Sequence, residues 1–246
     1  MKMALLCPTK SRPEDVIRLI RSIEKTVHKL SNIKLYLGVD SDDDTQHEFD
    51  NCIRFKSYIT KTIFPKYKNF PGLGVLWNYM ASQASEEIFA MVGDDFVYET
   101  PGWDAKIIKQ FEEGPLDNLL LVHCNDGLHG PGNKHSHSYG MEPGRVLAVN
   151  PFIHRRYYEI NGYYLREEFK HQFLDAWLDS IFHDINRKIY RHDIMIQHMH
   201  FSQTNIIDDV TLNLRQHSKY EIERALYDKL EQERSTEIDR IQCHLK

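Results

Sequence analysis

Ile88-Phe89-Ala90-Met91-Val92-Gly93-Asp94-Asp95-Phe96-Val97 decides how this chain is read. An apolar run dense in branched and aromatic residues ends in a small residue and two carboxylates, then turns apolar again. Runs of this kind read as strands. A strand apolar at nearly every position is buried on both faces, as in a parallel or mixed sheet sandwiched between helices. Carboxylates are costly to desolvate, so Asp94 and Asp95 belong at the open end of that sheet. There they suit a hard divalent cation, Mg²⁺ or Mn²⁺, which takes carboxylate oxygens and keeps a substrate's phosphates as remaining ligands. The competing reading is a strand followed by an Asp-rich turn that binds nothing.

The surrounding composition sets the class. The chain has 246 residues, 41% hydrophobic and 27% charged, with a formal net charge of -5. That is ordinary for a soluble globular protein with one sizeable core or two small domains. The negative balance gives no general push toward nucleic acid, although a local basic groove remains compatible with it. Cys7, Cys52, Cys124 and Cys243 are widely separated and form no CxxC pair, so they read as thiols in a reducing compartment. The apolar start at Met1–Cys7 is too short for a signal peptide, and no run approaches a membrane span. A cytoplasmic protein is expected.

Outward from the central strand, the chain alternates strands and helices. Met3–Cys7 is a short strand that stops at a polar loop, Pro8-Thr9-Lys10-Ser11-Arg12-Pro13. Val16, Leu19, Ile20, Ile23 and Val27 then repeat at helical spacing, with Pro13, Glu14 and Asp15 suited to a first turn. Ile33–Val39 is a second strand, directly ended by Asp40. Asp43 and Asp44 beyond it are expected in a solvated loop. Strand, helix, strand opens an α/β unit, in which ligands bind beyond the carboxyl ends of the strands. Lys56, Lys61, Lys66 and Lys68 give the next stretch a basic tone. Gly72 and Gly74 precede a helix expected over 75–85, where glycines allow a phosphate close to backbone N–H groups.

The second half is more helical. Pro101-Gly102 marks a turn, Trp103 packs it onto the body, and Asp104 is expected to cap a helix through Phe111. Residues 119–124 form another apolar strand. Residues 125–144 form a long polar loop with His129, His135 and His137, the sort of loop that lines an active site or is disordered. For His135 and His137, substrate contact is preferred over metal binding. A short strand is expected over 145–149, and residues 151–158 read as a turn into a short helix. A long helix is expected over 167–186, carrying Phe169, Phe173, Trp177, Ile181 and Ile185. On it Asp175 and Asp179 share one face. Residues 187–192 read as a link and 194–201 as a last strand, from which His198 and His200 point the same way. The charged tail carries an imperfect helical stripe through Leu214, Tyr220, Ile222, Leu226, Leu230, Ile238 and Ile241. It suits an accessory arm, a homodimer contact or a marginal coiled coil.

This ordered set resembles the GT-A glycosyltransferases, most closely the inverting family-2-like group, over residues 3–201. The resemblance implies an α/β, Rossmann-like GT-A fold: a mixed central sheet flanked by helices. A GT-A domain over 1–207 would be followed by a helical C-terminal extension over 208–246. It implies nucleotide contacts at Pro8, Thr9 and Asp40 and in the Gly72–Asn78 segment, including Gly74 and Asn78. Gly93-Asp94-Asp95 matches the last two positions of the family's DxD-type motif, which holds Mn²⁺ or Mg²⁺ on the donor diphosphate. Asp95 is the expected metal ligand and Asp94 a sugar or second-layer contact. His198-Met199-His200 occupies the place of the histidine that completes the metal sphere. Asp175 is the expected general base and Asp179 the reserve, although Leu174 stands where the family often has Glu. Lys10, Arg12 and Arg145 are candidates to complement phosphate charge.

The implied activity is metal-dependent transfer of a sugar from a nucleotide sugar, UDP-linked in preference, to an acceptor hydroxyl. A glycan or small-molecule acceptor is favoured over nucleic acid. Three alternatives stand beside it: transfer onto modified DNA bases or another polymer, nucleotidyl transfer, and a catalytically degenerate GT-A binding module.

Overall fold

The computed structural model describes residues 1–130, 145–199 and 219–246. Its centre is an eight-stranded sheet. The strands are β1 (Met3–Thr9), β2 (Ile33–Asp40), β3 (Ile59–Phe64), β4 (Ile88–Met91), β5 (Phe96–Tyr98), β6 (Leu121–Asn125), β7 (Phe152–His154) and β8 (Lys188–His198). Their order across the sheet is β3-β2-β1-β4-β7-β6-β8-β5. The pairs β2/β3, β1/β2, β1/β4 and β6/β8 are parallel, while β7 runs antiparallel to both β4 and β6. One consequence controls the site: β1, β2, β4, β6 and β8 all end on the same edge.

Helix α1 (Pro13–Thr26) begins with proline at its first turn and buries Val16, Leu19, Ile20 and Ile23. Its far end is held by Asp104, a fully buried carboxylate that accepts the His28 and Lys29 backbone N–H groups and the Asn32 amide. Helices α2 (Gln46–Ile53), α3 (Leu73–Ala81) and α4 (Trp103–Glu112) follow. Gly38 is a packing requirement, because a Cβ there would sit 2.3 Å from the Phe64 ring. Without one, Phe64 and Met80 press directly on the β2 backbone.

The opening stretch makes two strands, not one. β4 stops at Met91, the Phe96 N–H bonds the Gly93 carbonyl at 3.2 Å across the Asp94–Asp95 turn, and β5 then pairs with β8. Three expectations are corrected beyond that point. Residues 145–149 form no strand, and β7 at Phe152–His154 takes its place in the sheet. The segment expected to be a link over 187–192 is the first half of β8, whose polar residues lie half-buried or exposed. The long helix is also shorter: α5 (Arg156–Asn161) is followed by α6 at Leu174–Asp184 only. Residues 167–173 have helical spacing, but their backbone groups bond elsewhere. The Lys170 carbonyl accepts from the Leu73 N–H, and the His171 and Gln172 N–H groups donate to Glu223.

The C-terminal extension forms α7 (Tyr220–Lys229) and α8 (Glu231–Gln242). Of the stripe read from the sequence, Leu230 and Ile241 are buried, whereas Ile222 is exposed. The extension also buries Glu237, whose carboxylate accepts from the Tyr157 and Tyr163 hydroxyls and, at 3.1 Å, from the Trp177 indole. Among the described residues no helix is long and apolar enough to cross a membrane.

Candidate functional site

The site grows from the carboxyl edge of the sheet, where each strand delivers a polar residue as its apolar run ends. At the end of β1, the Thr9 hydroxyl donates to Asp94 Oδ2 at 2.8 Å. Arg12 Nη1 lies 3.2 Å from Asp94 Oδ1. Asp94 is thus almost fully buried and held from both sides. Burial raises its carboxyl to about 6 against the pull of Arg12, and the neighbouring Asp95 charge adds to the rise.

At the end of β2, Lys10 Nζ bridges Asp40 Oδ2 at 2.7 Å and Asp42 Oδ1 at 3.2 Å. Asp43 corrects the expectation of a solvated loop: it is buried and accepts from the Ser11 N–H at 2.7 Å and from Thr45. That bond ties the acidic loop to the β1 loop, so Lys10 and Asp40 face one another across a fixed gap.

Asp95 and His198 meet where β4 and β8 end. Asp95 Oδ2 lies 3.1 Å from His198 Nε2. Backbone bonds lock the approach, from the Met199 N–H to the Asp95 carbonyl at 2.9 Å and from the His198 N–H to the Asp126 carbonyl at 3.0 Å. Burial pushes the Asp95 carboxyl up, but the imidazole beside it prevails and holds it below its ordinary value. The reciprocal holds for His198: burial lowers it, and the Asp95 charge more than offsets this, so it stays charged to higher pH. Gly93 makes room here, since a Cβ would come within 2.6 Å of Asp95 Oδ1.

Behind this pair stands a feature the sequence reading missed. Asp126, just past β6, is 2% exposed. It accepts from the backbone N–H groups of Leu128 and His129 and lies 2.6 Å from His129 Nδ1. Its sequence signal is weaker than that of Asp40, because His123 and Asn125 stand between the apolar run and the acid. Asp175, in the first turn of α6, is influenced by His129 and in turn acts on His198. Burial raises the Asp175 carboxyl to about 6, partly countered by the Ala176 N–H and the His129 charge. Asp95 in the β4–β5 turn, His198 on β8, His129 in the loop after β6 and Asp175 on α6 thus act on one another electrostatically.

Asp179, one turn beyond Asp175, has a different environment. It is fully buried, accepts from the Ala148 N–H at 2.9 Å, and is ion-paired with Arg145 at 2.7 Å and with Lys188. Its oxygens are committed to this network, and so is Arg145, expected beside a phosphate. Breaking a buried ion pair from one side costs about 3–5 kcal/mol. Asp179→Ala is therefore expected to destabilise the fold by about that amount in urea unfolding. A loss under ~1 kcal/mol, the scale of an exposed pair, would show that the network contributes little.

Gly74 and Asn78 are also employed in packing. A Cβ on Gly74 would lie 2.4 Å from the Arg166 carbonyl. The Asn78 amide accepts from the Tyr164 and Leu165 N–H groups at 2.9 and 2.8 Å and donates to the Leu165 carbonyl at 2.8 Å. Both residues hold α3 against the segment leading to α6. Pro8 is half-buried at the end of β1. His135, His137 and His200 lie outside the described residues.

The residues present fit a divalent ion in part. Asp95 and His198 offer one hard oxygen and one imidazole nitrogen side by side. Among the described residues, no group of three or more His, Cys, Asp or Glu is placed to hold a metal. A cation at this pair would need its remaining ligands from a substrate, as a diphosphate supplies.

No protein-family model and no curated protein matches the chain. Solved structures do. S. aureus TarS 1-349 in complex with UDP superposes with a TM-score of 0.62 at 16% identity, over 80% of this chain and 60% of that one. The same protein in complex with UDP-GlcNAc gives 0.58 at 15% identity, over 87% and 64%. The mannosyltransferase PcManGT from Pyrobaculum calidifontis, in complex with GDP-Man and Mn²⁺, gives 0.61 at 10% identity, over 80% and 56%. The chain therefore spans less than two thirds of each of these proteins. At such identities the likeness concerns the fold, which is the Rossmann-like GT-A arrangement with a C-terminal helical extension.

Proposed function

We propose that this protein transfers a sugar from a nucleotide-sugar donor to an acceptor hydroxyl, with inversion at the sugar carbon. The observation that carries the reading is the Asp95–His198 pair at the carboxyl edge of the sheet; the charge of the buried Asp175 carboxylate, which acts on His198, supports it. The fold shared with proteins bound to UDP, UDP-GlcNAc and GDP-Man supports it. A UDP-sugar is the favoured donor.

In this reading Asp95 and His198 hold Mn²⁺ or Mg²⁺. The ion, when bound, neutralises charge on the departing nucleoside diphosphate. Arg12 and Thr9 keep Asp94 fixed beside the ligand pair, where it limits sugar orientation. Lys10 and Asp40 line the nucleoside end. Asp175 takes the proton of the acceptor hydroxyl as the new glycosidic bond forms. With its carboxyl raised to about 6 it remains mostly ionised at neutral pH, yet is a better base than an exposed carboxylate.

A thermal-shift screen of nucleotide sugars with and without Mn²⁺ tests the proposal. Joint stabilisation by diphosphate and Mn²⁺, exceeding the sum of the separate effects, is expected. No response to any nucleotide under either condition would overturn it. Asp40→Asn should weaken nucleotide binding about tenfold, the scale of one charged hydrogen bond, while the Mn²⁺ dependence of the remaining binding persists. Unchanged affinity in calorimetry would remove Asp40 from the nucleoside site.

A further inference from the structure

Phe173 holds an unusual conformation immediately before the candidate base. Its φ is +67°, in the left-handed region, and it stands at the N-cap of α6 with no side-chain cap. Glycine or asparagine takes that conformation readily, whereas a residue with a bulky side chain is strained there. Strain of this kind persists only where the surroundings over-determine it, and it clusters at functional sites. Two residues further on comes Asp175.

The surroundings that hold the turn come from α7. Glu223 is 3% exposed, and its Oε2 accepts the Gln172 N–H at 2.8 Å and the His171 N–H at 3.3 Å. Burying a carboxylate is costly unless it is bonded, so these two backbone groups are substantial partners. The Phe173 ring lies 5.2 Å from the Tyr227 ring and 5.4 Å from that of Tyr220. Tyr227 also reaches past the turn, packing 6.1 Å from the Trp177 ring and donating to Ser180 Oγ at 3.2 Å. One helix thus holds the backbone before the strained residue, its ring, and the first turns of α6 after it.

We infer that α7 is a positioning element of the catalytic site: Glu223 and Tyr227 hold the left-handed turn at Phe173 that delivers Asp175. The inference rests on the reading of Asp175 as the base. It makes the C-terminal extension part of the transfer machinery, acting on turnover through Asp175 and not on the nucleotide end of the sheet. Glu223 and Tyr227 act through another residue, so their loss separates turnover from donor binding.

The test uses the full chain with Glu223→Gln, Tyr227→Leu and the control Glu221→Gln, whose side chain is exposed on the same helix. Hydrogen exchange at His171 and Gln172 is expected to quicken about tenfold in Glu223→Gln, the consequence of losing a charge-assisted acceptor. Turnover should fall by a similar factor in Glu223→Gln and Tyr227→Leu, with affinity for UDP plus Mn²⁺ within about twofold of wild type. Glu221→Gln should match wild type throughout. Wild-type turnover in both folded variants would overturn the inference, as would a parallel loss of UDP affinity. Asp175→Asn, measured alongside, separates the failures. Wild-type turnover in Asp175→Asn sinks the base assignment. Loss in Asp175→Asn with wild-type turnover in Glu223→Gln and Tyr227→Leu sinks the positioning role alone.

Discussion

Asp175→Asn is expected to lower kcat by about 10²-fold or more, the scale of a positioned acid–base group, with donor affinity nearly unchanged. An acceptor hydroxyl holds its proton far more tightly than a carboxylate does. As the proposed base, Asp175 would accept that proton only as the glycosidic bond forms, and its contribution would belong to the transition state. Asparagine keeps the size and removes the charge. Initial rates beside calorimetric titration of the donor are the measurement, and unchanged turnover would mean another group takes the proton.

The raised carboxyl adds a pH signature. Turnover should decline as pH falls through about 6, because protonated Asp175 cannot act as a base. The stability effect has the opposite sense. With an ordinary value of 3.8 and a folded value of about 6, the native chain binds this proton more readily than the unfolded one. Stability is then lost as pH rises through that window. Asp175→Asn removes the burden, so it should gain stability relative to wild type above about pH 6. That gain needs no substrate to observe, and its absence would contradict the desolvated environment assigned to Asp175.

Asp95→Ala is expected to abolish the coupling between Mn²⁺ and nucleoside diphosphate. Losing a group that merely orients a ligand costs 10–100-fold in metal affinity, so losing a ligand should cost at least about 100-fold. His198 would keep one nitrogen, but a lone imidazole holds Mn²⁺ weakly, since hard cations prefer oxygen. In the wild type, UDP affinity should rise on adding Mn²⁺; in Asp95→Ala it should be the same with and without the metal. Equal coupling in both proteins, read by calorimetry, would rule out Asp95 as a ligand. His198→Ala should weaken the coupling less, as the carboxylate remains.

Much of the molecule was legible in the chain alone, for a local reason. Apolar runs that end abruptly in acids, at Asp40 and at Asp94–Asp95, announce strands buried on both faces with polar carboxyl ends. A parallel or mixed sheet, α1 and the common edge of the first strands follow from that pattern; that the sheet is mixed was implied only by the family resemblance. At the end of β6 the pattern is blurred, because His123 and Asn125 interrupt the run before Asp126.

What the chain alone misjudged depended on contacts made from far away. Periodicity through Phe169, Phe173 and Trp177 promised one long helix. Those rings do pack together, but the His171 and Gln172 N–H groups are taken by Glu223, some fifty residues later. The hydrogen bonds that would have continued the helix are spent outside it. Asp175 and Asp179 look equivalent at helical spacing. Arg145 and Lys188, from a loop and a strand on either side, close around Asp179 and leave Asp175 in the neighbourhood of His129 and His198. Local pattern determined which faces would be buried. The pairing of charges and backbone groups across the sheet, which no local spacing encodes, decided which carboxylate is held in a buried ion-pair network and which one is left as the proposed base.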